Sequence, residues 1–268
     1  MNITTHIRAQ EVFAMRRHTL RTLGAAVATA GAALLTVGLA GPAAAGPAPA
    51  RTHAAGYPVI YTSSQGGYTV SGRWFRFVAT FVKVPAAGTV SNYAAVVLGG
   101  AKVSPVTLGL KAGGGADSIG WSVGVPPFGS GGGYLTSVNP KAGDTVLLDL
   151  YYNQATGGVT ATAADTTSGR TQSITIAEGT KALFTAAEVA CVIANPASPP
   201  ASNIRLWQFT NSHVTTYTGV RGSMTGHWTT NEVIDTTNGH STGQVVMSPS
   251  FLFNNGGDFG AWLRAYRR

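Results

Sequence analysis

The stretch Phe184-Thr185-Ala186-Ala187-Glu188-Val189-Ala190-Cys191-Val192-Ile193 decides the fold. Its even positions (Phe184, Ala186, Ala190, Val192) and its odd positions (Ala187, Val189, Cys191, Ile193) are both apolar, the pattern of a strand covered on both faces. The run ends before Pro196-Ala197-Ser198-Pro199-Pro200, a rigid loop. One carboxylate interrupts it. A charge in such a setting must be hydrogen-bonded, paired or neutralised by a raised pKa, because an isolated buried ion is too costly. Glu188 is therefore the first candidate for a functional group.

Around this run lie short apolar segments cut by Gly, Pro, Asn and Asp about every ten residues, which predicts an all-β chain. Arg73 to Val84, Tyr93 to Leu98, Val106 to Leu110 and Ser118 to Val125 read as strands, and the glycine-rich loop Gly129 to Gly133 leads on to Tyr134. Thr145 to Tyr152, Val159 to Ala164 and Arg170 to Ile176 are joined by turns too short for a crossover, so they form a meander. Within it Asp149 shares a face with Thr145, Leu147 and Tyr151. Ile204 to Phe209 and Val214 to Tyr217 follow, and Val245 to Phe253 with Phe259 to Tyr266 close the domain as a hairpin. The best helical chance is one turn near Lys181 to Phe184.

Residues 1–45 read as an export signal rather than structure. Arg16-Arg17 opens a charged segment, Leu23 to Leu39 is apolar, and Ala43-Ala44-Ala45 offers a cleavage site. The paired arginines point to twin-arginine export, and Met15 is a candidate true start. The expected division is a signal at 1–45, a flexible leader at 46–66 and one β-sandwich domain at 67–268. The formal net charge is +8, and about +5 remains past the signal, scattered singly. That scatter excludes a phosphate-tracking surface and hence a nucleic-acid partner. The single cysteine, Cys191, excludes an internal disulfide and reads as a core residue. No Cys or His is spaced for zinc, and neither metal nor cofactor is expected. The mature protein is expected to be secreted, free of a stable membrane span, and monomeric.

Several of these segments resemble the glutamic peptidase (eqolisin) family. Gly143-Asp144-Thr145 through Thr166-Thr167-Ser168-Gly169-Arg170 looks like its "GD…DTTTGQ" meander, and Ala187-Glu188-Val189 like its "AEW" segment. Leu206-Trp207-Gln208-Phe209, Glu232-Val233-Ile234-Asp235 and Pro249 to Tyr266 resemble its later strands. The resemblance implies a two-sheet antiparallel β-sandwich of concanavalin-like jelly-roll shape. It also implies a Gln/Glu dyad in which the glutamate activates water and the amide steadies the oxyanion. Glu188 falls on the family's glutamate. The glutamine does not carry over: its position falls near Leu108-Gly109-Leu110, and no glutamine stands between Gln65 and Gln154. Trp121 matches a tryptophan of the family's "WYEW" strand, while Val123 replaces its glutamate.

Losing one oxyanion donor slows hydrolysis by about a hundredfold to a thousandfold. The expectation is thus a secreted protein of this shape without proteolysis, a pseudoenzyme that binds peptide or glycan in its groove. Two alternatives stand beside it. One is an acid endopeptidase using Glu188 with a substituted partner, either Gln208 or a carboxylate pair with Asp149. The other is a lectin-like carbohydrate-binding domain. Substrate-groove candidates are Trp121, Asp149, Tyr151 and Gln208, with Tyr134, Trp207 and Trp228 as further aromatics. A Ser/His/Asp triad is disfavoured, because no serine sits in a G-x-S-x-G turn and His213, His227 and His240 lie in polar segments.

Overall fold

The computed structural model describes residues 57–86, 92–100, 103–112, 117–124, 132–179, 182–193 and 204–264, the side chains of 204 and 205 excepted. The export signal, the Pro196 to Pro200 loop and most of the Gly129 to Gly133 loop lie outside these residues. The strands are β1 (Val59–Thr62), β2 (Gln65–Lys83), β3 (Asn92–Gly100), β4 (Val103–Ala112), β5 (Ser118–Val123), β6 (Gly133–Tyr134), β7 (Thr145–Asn153), β8 (Gly158–Asp165), β9 (Thr171–Ala177), β10 (Phe184–Ile193), β11 (Ile204–Thr216), β12 (Arg221–Ser223), β13 (Thr229–Thr236), β14 (Val245–Pro249) and β15 (Phe259–Leu263). The described residues hold one helical segment, a short 3-10 turn at Asn254–Gly256. Of the helical turn expected near Lys181 to Phe184, Lys181 lies outside the described residues, Ala182 and Leu183 are not helical, and Phe184 already pairs with Phe75 as the first residue of β10.

The architecture is an all-β sandwich whose two layers share β2. At 19 residues this strand is far longer than the usual five or six, and it serves both layers because it turns at Gly72, whose φ of +84° suits a residue without Cβ. Before the turn, Gln65 to Ser71 lies between β10 and β13. After it, Phe75 to Lys83 lies between β7 and β11. The first sheet therefore runs β1-β13-β2-β10-β3-β4-β5-β6, and the second runs β9-β8-β7-β2-β11-β15-β14 with β12 on the far end of β11. The pair β13–β14 joins the layers again through Asp235 and Met247. Among the described strands, β1 on β13 is the one parallel pair; the others are antiparallel.

Alternation explains the core. Ala187, Val189, Cys191 and Ile193 of β10 face Leu148, Leu150 and Tyr152 of the second sheet within one apolar cluster. Aromatic edges lock it, with Tyr152 against Phe184 at 5.2 Å and Phe209 stacked on Phe259 at 4.6 Å. Both buried tyrosine hydroxyls find a carbonyl, Tyr68 donating to Ser250 and Tyr152 to Gly179, and the half-buried Tyr217 donates to Ala182. Cys191 is fully buried and burial pushes its thiol pKa up, so it is an inert core residue. The meander stands as expected, with Asp149 opposite Thr162 and Ala79. The flexible leader does not extend to residue 66, since Val59–Thr62 and Gln65 onward are paired strands.

Candidate functional site

Glu188 lies on the outward face of the first sheet, the face away from the shared core. Directly paired residues face the same way, so the registers define its surroundings. Across the strands its row reads Asn231, Thr69, Glu188, Val97, Thr107, Ser122. The next row reads Val233, Gly67, Ala190, Ala95, Gly109, Gly120, Tyr134. Beyond it stand Gln65, Val192, Tyr93, Lys111 and Ser118. Five consecutive strands thus present only Gly or Ala in the middle row, which leaves a shallow transverse trough with Glu188 on one bank and Gln65 on the other.

The trough explains how those two side chains meet. Gln65 and Glu188 are four residues apart along the strand pair, about 13 Å of backbone at roughly 3.3 Å per residue. Only side chains lying flat over Gly67 and Ala190 close that gap, and the Gln65 amide hydrogen-bonds the Glu188 carboxyl. Gly67 is required twice over, because a Cβ there would come within 2.3 Å of the Val189 carbonyl oxygen. The Gln65 main chain is pinned from behind. Its N–H donates to Thr62 Oγ1 at 3.2 Å, and the same hydroxyl donates back to the Gln65 carbonyl at 2.7 Å.

Burial pushes the Glu188 pKa up from 4.5 to about 7, with the Gln65 bond pulling the other way by favouring the carboxylate. Glu188 remains partly exposed as a residue, yet its Oε1 is buried without a hydrogen-bond partner among the described residues. Thr107 Oγ1 and Ser122 Oγ, on the same row, are likewise buried and unpartnered. Counting about 4.8 Å per strand, they stand roughly 10 and 14 Å from Glu188. Buried polar atoms are almost always paired, so three in one row are left for water or a bound group to satisfy; Trp207 Nε1 and Asp235 Oδ1 are buried in the same state elsewhere.

The other groove candidates are elsewhere. Trp121 pairs with Leu108 on the inward face and packs half-buried against the core. Asp149, Tyr151 and Gln208 occupy the outward face of the second sheet, on the far side of the sandwich. The reason is the turn at Gly72: β7 and β11 pair with β2 after it, whereas β10 pairs mainly before it. Asp149 therefore does not pair with Glu188, and Gln208 does not supply the amide. Trp207 is a core residue, whereas Tyr134 is 64% exposed at the end of the trough. No triad forms at His213. Its Nδ1 bonds the Asn211 carbonyl at 2.8 Å and its Nε2 accepts from Arg221 at 2.9 Å, while burial and the guanidinium lower its pKa to about 4.

Gln65 is the residue that sequence reading missed. Its signal was present in Gln65-Gly66-Gly67: a long amide followed at the same-face position by the one residue over which it can lie down. No group of three or more His, Cys, Asp and Glu side chains among the described residues is arranged to hold a metal.

A two-layer β-sandwich of this form has known counterparts in shape. The structure is similar to scytalidoglutamic peptidase bound to a peptide-based transition-state analogue, with 18% identity and a TM-score of 0.56 over 77% of this chain and 100% of that one. It is also similar to SCP-B, an eqolisin-family peptidase in complex with the tripeptide Ala-Ile-His, with 17% identity and a TM-score of 0.54 over the same shares. The chain thus has the glutamic-peptidase fold. No family model matches the sequence, and no curated protein matches it. Among the described residues no helix is long and apolar enough to cross a membrane.

Proposed function

We propose that this chain is a peptide hydrolase of the glutamic type in which Gln65, reaching across from β2, takes the part of the missing amide. The observation that carries this reading is the Gln65 hydrogen bond to a Glu188 carboxyl whose pKa lies near 7. A general base works best when its pKa is close to the working pH. Ionised Glu188 takes a proton from water as the water oxygen attacks the scissile carbonyl. The Gln65 amide has two N–H donors, one for the carboxylate and one for the oxyanion that develops. Collapse of the tetrahedral intermediate breaks the C–N bond, and Glu188 returns its proton to the leaving amine.

The pH dependence distinguishes this site from an acid peptidase. Below its pKa the ionised fraction of Glu188 falls tenfold per pH unit, so cleavage rises with pH and levels off above about 7. The test is cleavage of a denatured protein between pH 3 and 9. Activity that follows this rise and disappears in Glu188→Gln supports the reading; no cleavage at any pH, or cleavage untouched by Glu188→Gln, ends it.

A second reading, a groove that binds peptide without cutting it, is favoured by Thr107 and Ser122. Their buried, unpartnered hydroxyls suit the main-chain polar groups of a bound chain and need no chemistry. Saturable peptide binding in a protein that never cleaves would select it. The paired-arginine leader supports either function being exercised outside the cytoplasm.

A further inference from the structure

Where β2 turns from one sheet into the other, the surface opens into a second cleft of about 640 Å³ that the Glu188 chemistry does not use. Its apolar part is Trp74, 56% exposed, with Val220, 44% exposed, and the ring of Trp228. Of these, Trp228 is anchored by its ring and Trp74 through its main chain. Trp228 stands edge-on to Phe75 at 5.7 Å and its Nε1 donates to the Met224 carbonyl, while the Trp74 carbonyl accepts from the Tyr217 N–H at 3.0 Å. The charged part is Arg73, oriented by its Nε donating to the His227 carbonyl at 3.3 Å. None of the lining residues is Asp, Glu, Asn or Gln.

That lining selects a chemistry. A guanidinium fixed through Nε still offers its terminal N–H groups, which match a carboxylate in geometry and charge. The indole and valine surface beside it suits an aliphatic or aromatic side chain. Sugars rich in hydroxyls are gripped by carboxylates and amides, and this cleft has neither.

Its position links it to the trough. Arg73 is four residues along β2 from Thr69, the direct partner of Glu188, so about 13 Å of strand, or roughly four residues of extended chain, separates the cleft from the Glu188 backbone, on the side away from Gln65. We infer that the Arg73–Trp74 cleft is a specificity subsite for an acidic residue next to a large apolar one, in a peptide whose more distant part lies over Glu188. The inference rests on the peptide reading above and adds its substrate class.

The experiment uses Glu188→Gln, which cannot turn the probe over, and calorimetry with two ten-residue Ala/Ser peptides that differ only in carrying Leu-Glu or Leu-Lys. The Leu-Glu peptide is expected to bind at least tenfold tighter. Arg73→Ala should erase that preference and Arg73→Lys restore part of it, while Trp74→Ala should weaken both peptides. Arg73 and Trp74 are exposed, so thermal melts of the variants should match the parent. Equal affinity for the two peptides, a preference that survives Arg73→Ala, or displacement of the peptide by a neutral xylo-oligosaccharide would overturn the assignment. The readout is binding, so it is independent of turnover: charge-selective binding in a protein that never cleaves removes the hydrolase reading alone, and cleavage without charge selectivity removes this one alone.

Discussion

The outward faces of the two sheets carry similar kinds of side chains and have opposite characters. On the second sheet His213 has both ring nitrogens engaged, by the Asn211 carbonyl and by Arg221, and Ser173 donates to Thr162. On the first, Glu188, Thr107 and Ser122 each bury an oxygen with no partner among the described residues. A polar face that satisfies itself is finished as structure. One that leaves buried oxygens unpartnered keeps capacity for water or a bound group, and this difference supports the proposed site where residue type does not, since acid, histidine and serine all occur on the satisfied face.

The largest effect that would test this contrast is on cleavage. Gln65→Ala should lower the rate about a hundredfold to a thousandfold, the worth of one oxyanion donor. It should also raise the Glu188 pKa further, because the bond it removes favours the carboxylate. Carbon-13 NMR of the carboxyl together with rate measurements would read both, and a rate unchanged within a few fold would mean that the amide only supports the fold.

Next in size is stability. The Glu188 pKa is raised from 4.5 to about 7, so its stabilising contribution is full below about 4.5 and is lost as pH rises through 7. Burial also raises Asp235 to about 7, with the same sign. Urea unfolding should therefore show the protein roughly 3 kcal/mol less stable at pH 8.5 than at pH 4.5 on account of Glu188. Glu188→Gln should flatten that part of the profile, and a parent profile that is already flat would place the carboxyl in water.

The smallest effects belong to the satisfied face. Asp149→Asn should leave cleavage within about twofold, whereas a large loss would make the second sheet part of the site. Arg221→Ala should let the His213 pKa climb from about 4 toward its ordinary value while burial still holds it down, a change visible by NMR titration.

Much of the sandwich was legible because alternation and turn residues are local. The meander from Thr145 to Ala177, the doubly covered β10 and the closing pair of β14 and β15 all follow from patterns within a few residues of one another. What was not legible depends on long-range pairing. Gly72 breaks the pattern of β2, so its start, Gln65 and Gly66, was assigned to the leader and its second half read as the first strand. That hid Gln65, and it left Asp149 and Gln208 as plausible neighbours of Glu188 when they belong to the other layer. The bulge at Asn211, with φ of +52°, likewise made β11 read as two strands.

The shared strand also has a kinetic meaning. The first half of β2 is flanked by β10 and by β13, whose pairing residues begin at Thr229, about 160 positions later in the chain. Contacts at such separation are slow to form, because a long loop must close before any of its pairing is realised. Synthesis of the last quarter of the polypeptide thus becomes the event that commits the molecule, and until then the strand bearing Gln65 remains an open edge.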